Sequence, residues 1–372
     1  MNNLFCHKHG GAPIKSNQPD FSVNISPIMP PIGSLSLSDF ALHNYPSIDG
    51  SGIRDFYVAR FGLDGDTVLP TNGAIEAIYL VPRALGVRRV LTLTPSFHDY
   101  ERASLVAGAT VSHLPLDAET GFALPSLEQF ATALQEAEAD ALFVGNPNNP
   151  TGTAIEPEVI MALASRFPWM WFIVDEAFIQ FTANFPHNSL MKQVSALRNI
   201  IVVHSLTKFY ALPGLRLGAV VAHPDVINRL LDVKEPWTVN AIAEEVARRL
   251  LHCSDYDAEV RSIIAAERLR MSAQFARSGE IVLVGGAANF FLARWIGGCS
   301  LDVLFARLAE RNLYVRDCRN FRGLEANYFR FAIRTPAENE RLLEALLPAI
   351  RPTTATMRTT AYQRNFSRTP FC

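Results

Sequence analysis

The sequence predicts an α/β protein with a mostly parallel central sheet flanked by helices, followed by a smaller α+β unit. Short apolar runs alternate with amphipathic helical stretches from about residue 45 to residue 236, an order typical of βαβ units. Beyond residue 236, a long helical stretch is followed by clustered strands. The chain is also 372 residues long and 49% apolar, so it can bury a sizeable core and exceeds the usual size of a single small domain.

The first 44 residues are rich in Pro, Ser and Asn and show no sustained period, so we expect an extended arm that joins the small domain and the active site. Residues 45–236 form the predicted large, ligand-binding domain. Its strands are predicted at 68–70, 89–93, 141–144, 171–174 and 200–204. Its helices are predicted at 74–85, 100–107, 124–135 and 156–166. The active site of such a sheet lies outside the carboxyl ends of its strands.

Residues 237–350 form the predicted small domain. A helical stretch covers about 239–277 and leads into strands at 281–285 and 289–295. A helix near 301–311, a strand at 328–334 and a helix at 336–347 complete this domain. Residues 351–372 are rich in Thr and Arg and have no period, which predicts a disordered tail.

Charge and cysteine usage exclude several classes of protein. The 34 basic and 36 acidic residues give a net charge of −2 without a basic run, so we expect neither nucleic acid nor membrane as partner. The amino terminus lacks the apolar core of a signal peptide, and the longest apolar stretches are too short to span a bilayer. The five cysteines are scattered without a CxxC pair, which predicts no disulfide framework, no metal site and a reducing, cytoplasmic location.

Four short segments at predicted strand ends contain the candidate functional residues. The first, TNGAIEAI, opens a helix, where Gly73 allows a tight turn and the amides of Ala74 and Ile75 are free to bind a phosphate. The second, GNPNNPTGT, is a rigid loop that presents three asparagines, among them Asn149. Taken alone, the first segment is also compatible with an ordinary β–α turn, and the second with a stiff structural turn.

The third segment, FIVDEAF, ends a strand with Asp175, whose carboxylate needs a cation or several donors when it is buried. A helix N-cap is the alternative role. The fourth segment, HSLTKFYALPGLRLG, carries Ser205, Lys208 and Arg216. A lysine at the end of a buried strand loses hydration, which lowers its pKa and makes it a nucleophile able to form a Schiff base. A lysine that merely extends to the surface is the alternative.

Together the four segments match the needs of one ligand, pyridoxal 5'-phosphate. Asp175 would pair with the protonated ring nitrogen, Asn149 would donate to the phenolic oxygen, and Lys208 would bind the aldehyde carbon. The groups that would hold the phosphate through charge-assisted bonds, at the turn made by Gly73, are Arg216, Ser205 and the amides of Ala74 and Ile75.

The order NGA, NPNNPTG, DEAF, SLTK and GLRLG resembles the fold-type I family of pyridoxal-phosphate enzymes, in its histidinol-phosphate aminotransferase branch, over residues 9–347. The segments HGG, DFSVNISP, RDCRNFRGL and YFRFAIRTPAENERLLEAL are most similar to the L-threonine-O-3-phosphate decarboxylases of cobalamin biosynthesis. Aminotransferases of the branch usually carry DEAY, whereas Phe178 takes the place of that tyrosine here, as is typical of the decarboxylases. The resemblance implies the fold-type I transferase fold.

The resemblance also implies roles for individual residues. Phe97 would stack on the cofactor ring, with Tyr100 as the alternative, and Tyr45 would reach the cofactor phosphate of the neighbouring subunit in a homodimer. The substrate, a phosphorylated amino acid, would be bound by His9, Gly10, Asn24, Asn149, Arg316 and Arg330. Without the resemblance, a lone arginine is usually a surface or salt-bridge residue, and a histidine in a polar arm is usually solvated.

Three departures from the family pattern bear on which amino acid is accepted. Ala12 stands where the decarboxylases commonly have Asn, and the stretch from His9 to Asp20 is short. Ser47 replaces the usual acidic residue after Tyr45-Pro46. None of these positions belongs to the predicted cofactor set.

The reaction that the resemblance implies is decarboxylation of O-phospho-L-threonine to (R)-1-amino-2-propanol O-phosphate and CO2, for the aminopropanol linker of cobalamin. The main alternative is a histidinol-phosphate-type aminotransferase, because substrate orientation decides which bond at Cα breaks. Phosphoserine is an alternative substrate, since one methyl group is worth about 1–3 kcal/mol of discrimination. A third alternative is a non-catalytic regulator that binds the cofactor; it should carry a DNA-binding module, and the sequence shows none.

Overall fold

The computed structural model describes residues 10–11, 18–36, 38 and 42–347 and contains two sheets. The large sheet has the strand order β1-β7-β6-β5-β4-β2-β3. Six of its strands run parallel and β7 runs opposite to them, because β7 pairs antiparallel with both β6 and β1. The strands are β1 (Val68–Asn72), β2 (Arg89–Thr94), β3 (Thr110–Pro115), β4 (Ala141–Gly145), β5 (Trp171–Asp175), β6 (Ile200–Ser205) and β7 (Leu217–Ala222).

Helices cover both faces of this sheet because its central strands are apolar on both sides. In β4, Leu142 and Val144 face one cluster of buried side chains, whereas Ala141 and Phe143 face the other. The helices of the large domain are α1 (Ser51–Phe61), α2 (Gly73–Leu85), α3 (Asp99–Val106), α4 (Leu127–Glu136), α5 (Pro157–Arg166), α6 (Leu206–Phe209) and α7 (Pro224–Leu231). Side chains of α1, α4 and α5 belong to the first cluster, and those of α2, α3 and α7 to the second.

The second sheet is antiparallel, with the order β10-β11-β9-β8, and forms an α+β unit with three long helices. Its strands are β8 (Ile281–Val284), β9 (Phe290–Trp295), β10 (Arg316–Asp317) and β11 (Tyr328–Ala332). Its helices are α9 (Tyr256–Phe275), α10 (Leu301–Glu310) and α11 (Pro336–Leu346), preceded by α8 (Ala241–Leu250). The predicted fold class is therefore confirmed, while the domain boundaries at residues 44, 236 and 350 stay predictions.

The helical stretch predicted at 239–277 consists of two helices, α8 and α9. The break falls between Leu250 and Tyr256, where Ser254 and Asp255 precede a first turn with two acidic residues. Short polar residues of this kind favour a new helix start over continuation of the old one. Strands β3, β7 and β10 and helices α1, α6 and α7 were not predicted from the sequence. The predicted tail at 351–372 lies outside the described residues.

The arm runs between the two sheets. The Phe21 amide donates to the Tyr314 carbonyl at 2.9 Å, and the Ala332 amide donates to the Phe21 carbonyl at 2.9 Å. Five residues further along, the Ser26 amide donates to the Lys208 carbonyl at 2.8 Å. The arm therefore connects β11 of the small sheet to the helix that follows β6. Within the described part of the chain, every helix is too short or too polar to cross a bilayer.

Candidate functional site

A cavity of about 390 Å³ lies at the carboxyl ends of β4, β5 and β6, bounded by the arm and by the small sheet. Most of the residues predicted from the sequence line it. These are Gly10, Asn24, Ala74, Ile75, Phe97, Asn149, Asp175, Ser205, Lys208, Arg216, Arg316 and Arg330. Gly73 lies just behind the wall, Tyr45 does not line the cavity, and His9 is outside the described residues.

The start of α2 forms one end of the cavity. Gly73 has φ of +71°, and a Cβ at this position would lie 2.5 Å from Nη2 of Arg216. On β7, a Cβ at Gly218 would lie 2.6 Å from the amide nitrogen of Ala74. Both glycines thus let β7 and Arg216 approach the first amides of the helix, and Ser205 lines the cavity from the end of β6. A helix start with an adjacent guanidinium and hydroxyl suits a phosphate.

The three asparagines of the NPNNPTG loop have different surroundings. The side chain of Asn146 pairs with the backbone of Ile155 in both directions, and Asn148 donates to the Pro95 carbonyl at 2.9 Å. Both are buried and stabilise the loop. Asn149 instead faces the cavity, where its Oδ1 accepts a hydrogen bond from Nη1 of Arg330. This bond leaves the Asn149 amide hydrogens available to an acceptor in the cavity.

The carboxylate of Asp175, at the end of β5, is held by two donors. The Tyr100 hydroxyl donates to Oδ2 at 2.8 Å, and the amide of Ala177 donates to Oδ1 at 2.9 Å. Burial raises the pKa of Asp175 to about 6. The adjacent Glu176 does not line the cavity, since its oxygens accept from the Ser189 hydroxyl and from the backbone of the following loop. Asp175 is thus the carboxylate that a cationic ring nitrogen in the cavity would meet.

Lys208 lies on α6, directly after β6, and protein surrounds it except where it borders the cavity. Burial lowers the pKa of Lys208 to about 8, and the positive charges of Arg330 and Arg216 act in the same direction. The Asp175 carboxylate acts in the opposite direction. The lowered pKa increases the fraction of the amine that is deprotonated near neutral pH, and the deprotonated amine is the nucleophile.

Arg316 and Arg330 stand directly opposite each other on the paired strands β10 and β11. Both are buried, and burial lowers the pKa of each, to about 10 for Arg330. Arg330 donates to Asn149 and, at 3.1 Å, to the Ser22 carbonyl, and both of these acceptors are neutral. Its Nε has no hydrogen-bond partner among the described residues. Like charges in direct cross-strand register are destabilising, and a buried cation requires compensation. An anion in the cavity would supply it.

The arm contributes a second group that lacks a partner. Asn24 is buried and lines the cavity, yet neither its Oδ1 nor its Nδ2 has a hydrogen-bond partner among the described residues. Buried amides are nearly always paired, so these two atoms point to a ligand. Gly10 packs so closely on the arm that a Cβ there would lie 2.3 Å from the Ser22 carbonyl oxygen.

Three aromatic residues predicted or discussed from the sequence line the cavity, whereas Tyr45 lies on the surface. Phe97 and Tyr100 both line it, at 5.5 Å between ring centroids and nearly perpendicular. Phe178 lines it as well, packed edge-to-face on Phe290 at 5.1 Å. Tyr45 is 83% exposed and its ring lies 5.2 Å from that of Trp237. Further lining residues that the sequence did not predict are Ser22 and Val23 on the arm, His98 directly before α3, and Phe321 between β10 and β11.

The described residues fit bound pyridoxal phosphate in three respects. A phosphate seat, a carboxylate and a lysine with lowered pKa border one cavity. Residues 35–346 match the family model described as aminotransferase class I and II. The chain belongs to this family. The protein is therefore a pyridoxal-phosphate-dependent enzyme with the fold-type I transferase fold, which confirms the cofactor predicted from the sequence. The roles of individual site residues stay predictions.

Relatives of this enzyme have two kinds of names. It is 33% identical to the threonine-phosphate decarboxylase of Salmonella typhimurium over 366 residues, which cover 92% of this chain and 96% of that protein. The structure of L-threonine-O-3-phosphate decarboxylase from Porphyromonas gingivalis is 27% identical, with a TM-score of 0.71 over 82% of this chain and 90% of that chain. Histidinol-phosphate aminotransferase from Clostridium acetobutylicum is 28% identical, with a TM-score of 0.80 over 88% of this chain and 97% of that chain.

Proposed function

We propose that this enzyme decarboxylates O-phospho-L-threonine to (R)-1-amino-2-propanol O-phosphate and CO2 in the cytoplasm, and so supplies the aminopropanol linker of cobalamin. The observation that carries the proposal is the pair of buried guanidiniums, Arg316 and Arg330, in direct register. A phosphorylated amino acid has two anionic groups, a phosphate and a carboxylate, and each arginine can bind one through paired N–H donors. The decarboxylase relatives, one of them 33% identical, support this choice of substrate.

Bound pyridoxal phosphate supplies an electron sink for the electron pair that remains when a bond at the substrate Cα breaks. Asp175 would keep a proton on the ring nitrogen, and Asn149 would donate to the phenolic oxygen. Arg216, Ser205 and the start of α2 would hold the phosphate. Lys208 would hold the cofactor aldehyde in the absence of substrate, and its amine, with a pKa of about 8, could donate a proton to the substrate Cα after CO2 is lost.

Substrate orientation selects the bond that breaks. We propose that Arg316, Arg330 and the arm residues Asn24, Gly10 and His9 would hold the substrate in the orientation that favours loss of its carboxylate. Phe178 places an apolar edge in the cavity where aminotransferases of the branch have a hydroxyl, so it offers no donor to the phenolic oxygen. Positioning effects of this kind can be worth several kcal/mol.

A histidinol-phosphate-type aminotransferase is the second candidate. The observation that favours it is the TM-score of 0.80 to the Clostridium acetobutylicum aminotransferase, against 0.71 to the Porphyromonas gingivalis decarboxylase. Such an enzyme would need the same phosphate seat, lysine and arginine pair. It would hold the substrate so that the Cα–H bond breaks and the carboxylate is kept.

We also propose a homodimer. Tyr45, Ile48 and Trp237 are large apolar residues close to the arm or to α8, and they are 83%, 62% and 47% exposed. In a dimer they would be covered, and Tyr45 would reach the cofactor phosphate of the partner. A mass of two chains in light scattering is the expected result, and a mass of one chain at micromolar concentration would contradict it.

Product analysis by mass spectrometry tests the reaction. The cofactor-loaded protein is incubated with O-phospho-L-threonine, with and without 2-oxoglutarate. We expect CO2 and aminopropanol phosphate in both samples, whereas glutamate together with an oxo-acid product would establish the aminotransferase. If the protein turned over O-phospho-L-serine but not O-phospho-L-threonine, the proposed type of reaction would stand and the proposed substrate would be wrong.

Two variants test the arginine pair. Arg316→Gln is expected to raise KM for the substrate about tenfold or more, because hydrogen bonds to charged groups contribute strongly. Arg319→Gln is the matched control, since Arg319 lies two residues beyond β10, is exposed, and is already paired with Asp317 and Asp302. Equal KM values in the two variants would contradict the role of Arg316.

A further inference from the structure

Tyr100 contacts a predicted cofactor-binding residue, Asp175, through its hydroxyl. It lies in the first turn of α3, is 2% exposed, and stacks on Phe143 of β4 with 4.5 Å between ring centroids. Its hydroxyl donates to Oδ2 of Asp175 at 2.8 Å. Since its ring is held by Phe143, the direction of this hydrogen bond is fixed by packing.

Gly145 provides the space for that hydroxyl. It ends β4 and is the register partner of Asp175 on β5. A Cβ at Gly145 would lie 2.8 Å from the Tyr100 hydroxyl oxygen, closer than such contacts occur. Any larger residue at this position would displace the phenol from the carboxylate.

Two donors therefore fix the Asp175 carboxylate from opposite sides, the Tyr100 hydroxyl at Oδ2 and the Ala177 amide at Oδ1. We propose that Tyr100 is a positioning residue, which holds Asp175 in the orientation that the cofactor ring nitrogen requires, and that Gly145 is a glycine so that Tyr100 can do this. The inference depends on the cofactor and not on the choice between decarboxylation and transamination.

The hydrogen bond also has an electrostatic consequence. The titratable groups that face Asp175 are Tyr100 on α3 and Lys208 on α6, with Glu176 next to it in the chain. The Tyr100 hydroxyl and the Lys208 charge both lower the pKa of Asp175, against the larger effect of burial. Without the hydroxyl, Asp175 would take up a proton at a higher pH and lose its attraction for a protonated ring nitrogen.

The test uses the affinity of the protein for pyridoxal phosphate, measured by absorbance titration of the apoenzyme between pH 6 and pH 8.5. Tyr100→Phe keeps the ring stack and removes the hydroxyl. We expect the dissociation constant to rise about tenfold at pH 8.5, and by a larger factor at pH 6, because the pKa of Asp175 is higher in the variant and more of its carboxylate is protonated there than in the original.

Tyr79→Phe is the matched control, because the Tyr79 hydroxyl donates at 2.8 Å to a different carboxylate, that of Asp99. It should leave the dissociation constant within twofold of the original at each pH. Equal effects of Tyr79→Phe and Tyr100→Phe, or an effect of Tyr100→Phe that does not vary with pH, would overturn the proposal.

A double-mutant cycle tests the role of Gly145. Gly145→Ala alone should weaken cofactor binding, because the added methyl group displaces the Tyr100 hydroxyl. In the Tyr100→Phe background, the same alanine meets no hydroxyl and should change the dissociation constant less than twofold. Additive effects would mean that Gly145 acts independently of Tyr100, and would refute this part of the inference.

Discussion

Replacement of Gly73 by alanine is expected to weaken cofactor binding more than it destabilises the fold. Gly73 begins α2 with φ of +71°, and the new Cβ would lie 2.5 Å from Nη2 and 2.9 Å from Cζ of Arg216. These atoms are the end of a flexible side chain, so the guanidinium moves aside while the backbone stays. The Arg216 guanidinium would then no longer reach the cofactor phosphate.

The loss of stability and the loss of cofactor affinity in Gly73→Ala have different sizes. A left-handed conformation costs a residue with a Cβ about 1–2 kcal/mol, which lowers the free energy of unfolding by that amount. A hydrogen bond to a charged group contributes about 1.5–3 kcal/mol. Loss of the Arg216 contact should therefore raise the dissociation constant of pyridoxal phosphate by about 10- to 150-fold.

Gly86→Ala is the matched control. Gly86 ends the same helix with φ of +66°, and a Cβ there would meet nothing within 4 Å. Urea unfolding of the apoproteins should show similar losses for the two variants, while absorbance titration should show weakened cofactor binding in Gly73→Ala alone. Equal dissociation constants in the two variants would refute the reasoning about Arg216.

Three further predictions concern the lysine, a buried histidine and reaction choice. Lys208→Ala should abolish turnover and the mass increase that borohydride reduction gives to the cofactor-loaded protein; a persisting adduct would place the covalent bond elsewhere. Burial lowers the pKa of His204 to about 3. Between pH 6.5 and pH 3, His204 is therefore protonated in the unfolded chain but not in the folded protein. The free energy of unfolding consequently falls as the pH falls through that window. Relative to the original, His204→Gln should therefore gain about 2 kcal/mol of unfolding free energy in urea at pH 5 compared with pH 8, and a constant difference at the two pH values would contradict this. Phe178→Tyr should increase glutamate formation from 2-oxoglutarate relative to CO2 about tenfold, and an unchanged ratio would mean that the residue does not influence which bond breaks.

The strands and loops that form the site follow from local features of the sequence. Apolar runs such as 141–144 and 171–174 are strands because they are short and each is followed by a glycine or a polar residue. The polar side chains that follow them converge because parallel strands end at one edge. This placed Asp175, Asn149 and Lys208 around one cavity without knowledge of their distances. The same local reasoning predicted the helical stretch at 239–277 but did not locate the break between α8 and α9, because no glycine or proline marks it.

The tertiary structure decided everything that depends on residues distant in sequence. Asn149 meets Arg330 across 181 positions, and Tyr100 meets Asp175 across 75. Such contacts depend on the direction of each side chain and on how the two sheets and the arm pack together, and local periodicity contains neither. For the same reason the sequence could list three asparagines as candidate donors, but packing alone turned two of them into the loop and left Asn149 facing the cavity.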